Sequence, residues 1–249
     1  MATIGIFDSG SGGLSVYREI VKLLPQERYV YFADNAYCPY GEKSAEAIRD
    51  RARAVTDILL GLGADIIVVA CNTATAAAIA TLREEYPNIP FVGMEPAVKP
   101  AALGTETGVI GVLATAGTLK GSKYLKMRGQ YEDDVRIVEH VGEGFVELVE
   151  NGILDGPAAY DTVRASLQPL LDAGVDRIVL GCTHYPFLRS VIEDVAGPGV
   201  QVIDPARAVA LQTVRMLGKH GIPTGEGPFG IDLYFSGEPD SLKRIFKQL

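Results

Sequence analysis

Short apolar runs alternate with longer amphipathic stretches along almost the whole chain. The apolar runs are rich in Ile and Val and predict strands over residues 3–7, 29–33, 65–70, 90–93, 108–113, 135–139, 176–180 and 201–203. Stretches with the periodicity of amphipathic helices cover residues 43–61, 73–86, 158–173 and 205–219. Because strands alternate with helices at this spacing, the pattern indicates βαβ units and a parallel sheet.

The two halves of the chain resemble each other in sequence. Residues 4–9 resemble 110–115, residues 63–71 resemble 174–182, and residues 95–97 resemble 204–206. The three matches follow the same order at nearly the same spacing, which chance similarity between strand–loop–helix joints does not explain. The sequence therefore predicts an internal duplication.

The duplication predicts an α/β fold of two pseudo-symmetric parallel-sheet domains that face each other across a cleft. The first domain is predicted to comprise residues 1–97 plus 207–249, and the second to comprise residues 98–206. A final strand over residues 231–236 is expected to extend the sheet of the first domain. The two halves can then hinge near residues 98 and 206.

A cysteine follows the corresponding predicted strand in each half, Cys71 in the first and Cys182 in the second. Ligands bind at the carboxyl ends of the strands in open parallel sheets. Two halves packed around a pseudo-twofold axis would therefore point both thiols into one cleft. Thr73 is the predicted N-cap of the helix after Cys71. The Cys71 thiol then lies near a helix N-terminus, where the dipole favours the thiolate.

Two opposed thiols suit proton transfer on both faces of one carbon atom. One thiolate removes a proton from Cα, and the other thiol donates a proton from the opposite face. His184, two residues after Cys182, is placed to polarise that thiol or to stabilise its thiolate. Such a pair needs neither a metal nor pyridoxal phosphate, and the sequence has no metal-ligand spacing.

A glycine-rich turn follows the first predicted strand, in the sequence DSGSGG at residues 8–13. The turn opens a helix, so its backbone N–H groups are expected to cradle an anion. It lacks both the Lys-Ser/Thr ending of a phosphate loop and the regular dinucleotide spacing. With Asp8 at the mouth, the turn favours a small amino or carboxylic acid, and Asp8 would accept a proton or hold an ammonium group.

Composition restricts the possible partners of the chain. Of its 249 residues 47% are hydrophobic, and the formal net charge is −8 without any Lys/Arg cluster, which argues against nucleic-acid binding. No apolar run is long enough to span a bilayer, and the first residues do not resemble a signal peptide. The three cysteines predict free thiols in a reducing cytoplasm. Cys38 is predicted to be a spare loop thiol, and its nearness to the cleft leaves a minor role open.

Four motifs together resemble those of bacterial glutamate racemases. They are GIFDSG at residues 5–10, PYG at 39–41, CNTATA at 71–76 and GCTHYP at 181–186. The matching positions extend from residue 4 to residue 206 and so cover nearly the whole chain. The resemblance implies a homodimeric, cofactor-independent isomerase that interconverts L- and D-glutamate and supplies D-glutamate for peptidoglycan.

The resemblance also implies roles for individual residues. Cys71 and Cys182 are the implied acid/bases, with Asp8 and His184 as their polar partners. The cleft glutamate of the family falls on Glu150, with Glu147 close enough to be the alternative. The implied substrate-binding residues are Ser9, Tyr40, Gly41, Asn72, Thr73, Thr115, Thr118 and Thr183.

Other functions remain open on the sequence alone. The same two-thiol chemistry fits a racemase or isomerase of aspartate, a hydantoin or another dicarboxylate. A hydrolase with Cys182 as nucleophile and His184 as base leaves the matching Cys71 unexplained. A thiol–disulfide redox protein lacks the C-x-x-C motif, and a non-catalytic binding protein does not require both cysteines.

Overall fold

Every predicted strand and all four predicted helices form in a computed structural model, with ends shifted by two residues at most. The structure describes residues 1–225 and 229–249. The strands are β1 Thr3–Asp8, β2 Arg28–Ala33, β3 Ile66–Val69, β4 Phe91–Gly93, β5 Val109–Ala114, β6 Arg136–Val141, β7 Arg177–Gly181, β8 Gln201–Ile203 and β9 Gly230–Phe235.

Helices connect these strands in both halves. They are α1 Leu14–Leu23, α2 Ala45–Gly61, α3 Asn72–Glu85, α4 Val98–Gly104, α5 Ala116–Leu119, α6 Ser122–Arg128, α7 Phe145–Glu150, α8 Pro157–Asp172, α9 Arg189–Ala196, α10 Ala206–Lys219 and α11 Asp240–Phe246. Within the described residues, no helix combines the length and the apolarity that a membrane span requires.

The strands form two parallel sheets with the same internal order. The first sheet runs β4-β3-β1-β2-β9 and the second runs β6-β5-β7-β8. Read from the other edge, the second sheet is β8-β7-β5-β6, so each of its strands corresponds to one of β4, β3, β1 and β2. The duplication seen in the sequence is therefore a duplication of topology, and the fold of two facing parallel-sheet halves is confirmed.

The C-terminal segment packs against the first sheet. Strand β9 pairs in parallel with β2, with Arg28 opposite Gly230 and Ala33 opposite Phe235. Helix α10 lies against α1, which places the chain back beside the first half before β9 begins. The strand predicted at residues 231–236 thus forms the edge of the first sheet.

Both faces of the first sheet are covered, which explains its continuous apolar strands. Ile4 and Ile6 point into one core that continues into the second half, whereas Phe7 points into a separate core with α2 and α3. This alternation is the two-residue period of a strand, and each fully buried side chain contributes about 1.5–3 kcal/mol of burial energy. Polar chemistry is left to the carboxyl ends of the strands.

Candidate active site

Cys71 begins the helix that follows β3. It is the N-cap of α3, and its Sγ accepts a hydrogen bond from the Ala74 amide at 3.4 Å. The expectation that Thr73 caps this helix is wrong, because the N-cap lies two residues earlier, at Cys71, and α3 starts at Asn72. On its other side the Cys71 thiol faces Ser9, with 3.8 Å between Sγ and Oγ.

The position of Cys71 does not favour its thiolate. The side chain is only 5% exposed, and burial raises its pKa well above the usual value, helped by the nearby charge of Asp8. The hydrogen bond from Ala74 opposes the shift without cancelling it. The expected stabilisation of the thiolate by the helix end is therefore outweighed by desolvation, and Cys71 rests as a thiol.

Cys182 is the first member of a chain of three polar groups in the second half. It follows β7 directly and is 8% exposed. Its Sγ lies 3.8 Å from Nδ1 of His184, and Nε2 of His184 lies 2.7 Å from Oε1 of Glu150. Thiol, imidazole and carboxylate are thus aligned, as in sites where a carboxylate orients a histidine toward a nucleophile or base.

Opposing effects act on the ionisation of the His184–Glu150 pair. Burial alone would lower the pKa of His184, but hydrogen bonds to Cys182 and Glu150 raise this pKa well above its usual value. Burial alone would raise the pKa of Glu150, but the hydrogen bond and positive charge of His184 lower it to about 2. The pair therefore exists as imidazolium and carboxylate at neutral pH, which places a positive charge beside Cys182.

Helix α7 decides between the two candidate glutamates. Glu150, at its last position, reaches His184, whereas Glu147 lies on the exposed side of the same helix. Residues three apart on a helix point in similar but not identical directions, so the sequence match did not separate them. Glu150 therefore belongs to the chain of polar groups with His184 and Cys182, whereas Glu147 lines the neighbouring cavities without joining that chain.

The free energy of unfolding of Glu150→Gln is expected to depend less on pH than that of the unmodified protein. A carboxyl whose pKa is lowered on folding from 4.5 to about 2 contributes stability above pH 4.5 and loses it as pH falls toward 2. The full contribution is on the order of 3 kcal/mol. Urea unfolding should show the advantage of the unmodified protein over the Gln variant shrinking by about 1 kcal/mol between about pH 6 and about pH 3.5.

Glu147→Gln is the matched control for this titration. Glu147 lies on the same helix but is exposed, so its replacement should leave the difference in unfolding free energy flat across the same pH range. A Glu150→Gln curve parallel to that of the unmodified protein would show that Glu150 gains nothing from His184 on folding.

The glycine-rich turn after β1 receives side chains from the other half. A Cβ on Gly10 would lie 2.3 Å from Oε1 of Glu150, and a Cβ on Gly12 would lie 2.3 Å from Nδ1 of His184. The Ser11 amide and hydroxyl donate to Oε1 of Glu150 at 2.7 and 3.0 Å. Glycine is required here because any side chain would displace this pair.

The turn does bind anions, but they belong to the protein. Ser11 donates to Glu150, while the amides of Gly10 and Gly13 donate to Oδ2 of Asp8 at 3.3 and 2.9 Å. The expectation that these amides cradle a ligand is corrected accordingly. The contact with Glu150 has no local sign in the chain, because Glu150 lies 139 residues from Ser11.

Asp8 lies fully buried at the junction of the two halves. Its Oδ1 accepts from the Thr183 hydroxyl at 3.3 Å, in addition to the two amides of its own turn. Burial raises its pKa, and the charge of His184 and the hydrogen bond from Gly13 partly offset that rise. Asp8 thus connects the strand end in the first half with the residue that follows Cys182.

Three threonine hydroxyls meet where the halves approach each other. Thr73 lies 2.9 Å from Thr115 and 3.4 Å from Thr118, and the last two are 3.0 Å apart. Next to Thr73, Asn72 is 4% exposed, and neither atom of its amide has a hydrogen-bond partner among the described residues. A buried amide of this kind is costly unless a ligand satisfies it.

Tyr40 and Gly41 are not part of the hydroxyl cluster, and they differ in how close they lie to it. The Tyr40 hydroxyl donates to Asp34, which also accepts two hydrogen bonds from Arg51, so this phenol belongs to a buried ion-pair network. Gly41 packs closely on Thr115, since a Cβ there would lie 3.1 Å from the Thr115 Cβ. Gly41 therefore borders the cluster, whereas the Tyr40 side chain points toward Asp34.

Two groups in the site were not recognised from the sequence. Ser11 holds Glu150, and Cys38 has its Sγ within 4.8 Å of ligand atoms of both Glu150 and His184. The Cys38 thiol thus lies beside the Glu150–His184 pair and not apart from it in the loop. A serine in a glycine-rich turn and a cysteine before a proline carry no local sign of these contacts, which form only when the halves pack together.

Two cavities open beside these residues. One has a volume of about 410 Å³ and is lined by Gly41, Thr115 and Tyr185, among others. The second, also of about 410 Å³, is lined by Cys38, Glu150 and neighbouring residues. The first cavity borders Thr115 of the hydroxyl cluster, and the second borders Glu150 of the Glu150–His184 pair.

Known proteins resemble this chain over most or all of its length. The family model described as Asp/Glu/hydantoin racemase matches residues 4–213. A glutamate racemase from Ectopseudomonas mendocina is 47% identical over 248 residues, which cover 100% of this chain and 94% of that protein. A glutamate racemase from Pseudomonas aeruginosa is 46% identical over 244 residues, which cover 98% of this chain and 92% of that protein.

Solved structures share the fold over nearly the whole chain. A glutamate racemase isoform from Bacillus anthracis superposes with a TM-score of 0.89 at 33% identity, covering 99% of this chain and 93% of that one. The Escherichia coli glutamate racemase in complex with L-glutamate and the activator UDP-MurNAc-ala also gives a TM-score of 0.89, at 32% identity, covering 99% of this chain and 94% of that one.

Proposed function

This chain belongs to the glutamate racemases of the Asp/Glu/hydantoin racemase family, and we propose that it interconverts L- and D-glutamate by proton transfer between Cα and two thiols. Cys71 and Cys182 are the proposed acid/bases. The observation that carries the proposal is that both follow corresponding strands of the two duplicated sheets. The two strand ends meet, because Asp8, whose charge acts on Cys71, also accepts a hydrogen bond from Thr183, the residue after Cys182.

The two thiols have different surroundings, which suits complementary roles. Cys71 rests as a thiol because it is buried near Asp8, whereas Cys182 has the imidazolium of His184 beside it. In one direction a Cys182 thiolate takes the Cα proton, and the Cys71 thiol delivers its own proton to the opposite face. The reverse reaction starts from the opposite protonation state, so no external acid or base is consumed.

Polar groups between the halves are suited to an amino acid with two carboxylates. The unsatisfied Asn72 amide and the hydroxyls of Thr73, Thr115 and Thr118 can donate to carboxylate oxygens. Ser9 and Thr183 stand next to Cys71 and Cys182 and are the proposed contacts closest to Cα. We propose D-glutamate for peptidoglycan as the use of the product, in line with the glutamate racemase relatives.

Aspartate or another dicarboxylate is the second candidate substrate. The same thiols and the same carboxylate-binding groups would serve it, and only the length of the side chain differs. The full-length similarity to proteins named glutamate racemase favours glutamate. A substrate panel separates the two candidates directly.

The test is circular dichroism of pure L-glutamate incubated with the protein in D₂O, read together with mass spectrometry of Cα. We expect the signal to decay to zero while deuterium enters Cα, because the incoming proton derives from an exchanged thiol. Decay with aspartate but not with glutamate would move the substrate to the second candidate. Absence of exchange with every dicarboxylate would exclude the proposed chemistry.

A further inference from the structure

Three side chains of different chemical type meet beside Cys182. Sγ of Cys38, a carboxylate oxygen of Glu150 and an imidazole nitrogen of His184 all lie within 4.8 Å of one another. Thiolate, carboxylate and imidazole are the ligand types of protein zinc sites, and bonds of about 2.0–2.3 Å place the donor atoms of one ion about 3–4 Å apart. The cluster therefore needs only small movements to surround one cation.

We propose that Cys38, Glu150 and His184 form an inhibitory site for a thiophilic divalent cation, with Zn²⁺ as the ion that suits this ligand set best. Three protein ligands leave the fourth tetrahedral position to a water molecule. Mg²⁺ and Ca²⁺ are poor candidates, because they bind oxygen ligands and gain nothing from a thiolate.

The surroundings of the cluster resemble those of a built metal site. Glu150 Oε1 is fixed by the amide and hydroxyl of Ser11, and Nδ1 of His184 is directed toward Cys182, so two of the ligands are already oriented by neighbours. The cavity of about 410 Å³ that Cys38 and Glu150 line provides access from solvent. The ionised Glu150 supplies a negative charge that attracts a cation.

Binding would change protonation and nothing else. The ion replaces the proton of the Cys38 thiol and the Nε2 proton of His184, and both protons leave to solvent, with no bond in the chain broken and no electron transferred. The bound ion would also fix the His184 ring, which lies 3.8 Å from Cys182, in its own coordination. This inhibitory consequence rests on the proposed function, since the two-thiol mechanism uses His184 as the polar partner of Cys182.

The three cysteines make the test sharp, because each can be removed singly. The protein, reduced without thiol reagents, is titrated with Co²⁺ as a spectroscopic substitute for Zn²⁺ and then with Zn²⁺ itself. We expect one equivalent of Co²⁺ to produce a sulfur-to-cobalt charge-transfer band that Zn²⁺ abolishes. We also expect Zn²⁺ to inhibit racemisation reversibly, with EDTA restoring activity.

Cys38→Ser should abolish the band and weaken Zn²⁺ inhibition at least about tenfold, with inhibition measured relative to the activity of the same variant without metal. Cys71→Ser should keep the band, because Cys71 is not a ligand. A band that survives in Cys38→Ser and disappears in Cys71→Ser would place the ion between the proposed acid/base thiols and overturn the site, as would the absence of any band.

The cobalt spectrum does not depend on turnover. A protein that shows the band but racemises no dicarboxylate would retain the metal site and lose the proposed function. A protein that racemises glutamate without the band would retain the function and lose the metal site.

Discussion

Replacing either Cys71 or Cys182 with serine will lower the racemisation of glutamate by about 10²–10⁴-fold, the usual contribution of a positioned acid or base. A serine hydroxyl keeps the size and hydrogen bonds of the thiol but is far too weak an acid to exchange a proton with Cα. Circular dichroism started from each pure enantiomer measures the loss in both directions.

The two variants will differ in the exchange of Cα hydrogen without inversion. The thiol that remains in each variant faces only one side of Cα, so in D₂O it labels one enantiomer and returns it unchanged in configuration. Cys71→Ser and Cys182→Ser should therefore label opposite enantiomers. Cys38→Ser is the matched control and should exchange the Cα hydrogen of both enantiomers alike, since Cys38 lies outside the proposed acid/base pair.

Labelling of the same enantiomer by both variants would show that the thiols do not act on opposite faces. Full activity of either variant would remove that cysteine from the proposed mechanism. Both outcomes can be told apart from misfolding by thermal unfolding of the same samples.

Replacing His184 and replacing Asp8 will have different effects, which match those of replacing the thiol that each residue acts on. His184 contacts Cys182, with 3.8 Å between Nδ1 and Sγ, whereas the charge of Asp8 acts on Cys71. His184→Asn is therefore expected to reproduce the labelling pattern of Cys182→Ser, and Asp8→Asn that of Cys71→Ser. We expect turnover to fall about 10²-fold or more in each variant, because the charged side chain that acts on the thiol during proton transfer is then missing.

The informative result of this second experiment is which enantiomer exchanges its Cα hydrogen in each variant. A residue with a purely structural role would lower turnover without selecting which enantiomer exchanges its Cα hydrogen. Equal exchange of both enantiomers in His184→Asn would therefore assign His184 to the support of the fold, and the same holds for Asp8→Asn.

Most of the architecture could be predicted from the sequence because it depends on short-range patterns. A buried parallel strand is a short run of consecutive apolar residues, and the helices between strands need a polar face, so both are visible locally. The duplication then fixed the relation between the halves, because two equal patterns fold into two equal sheets. It also placed Cys71 and Cys182 at corresponding strand ends.

The glycine-rich turn and Cys38 differ from expectation because of contacts between residues far apart in the chain. Ser11 and Glu150 are separated by 139 residues, and Asp8 and Thr183 by 175. No local pattern records such a pair. The glycine-rich turn therefore suggested a ligand cradle where the protein places its own carboxylate, and Cys38 was interpreted as a spare thiol.

By itself the sequence determined two parallel α/β halves, the pair of cysteines and the histidine beside one of them, since periodicity, repetition and adjacency along the chain are sufficient for each. Only the tertiary structure decided that Glu150 rather than Glu147 meets His184, that Cys71 rests as a thiol, and that Cys38 joins the Glu150–His184 pair. These depend on how closely the two halves pack and how much water that packing removes, and the free energies of burial and of charge–charge contact are set by that geometry.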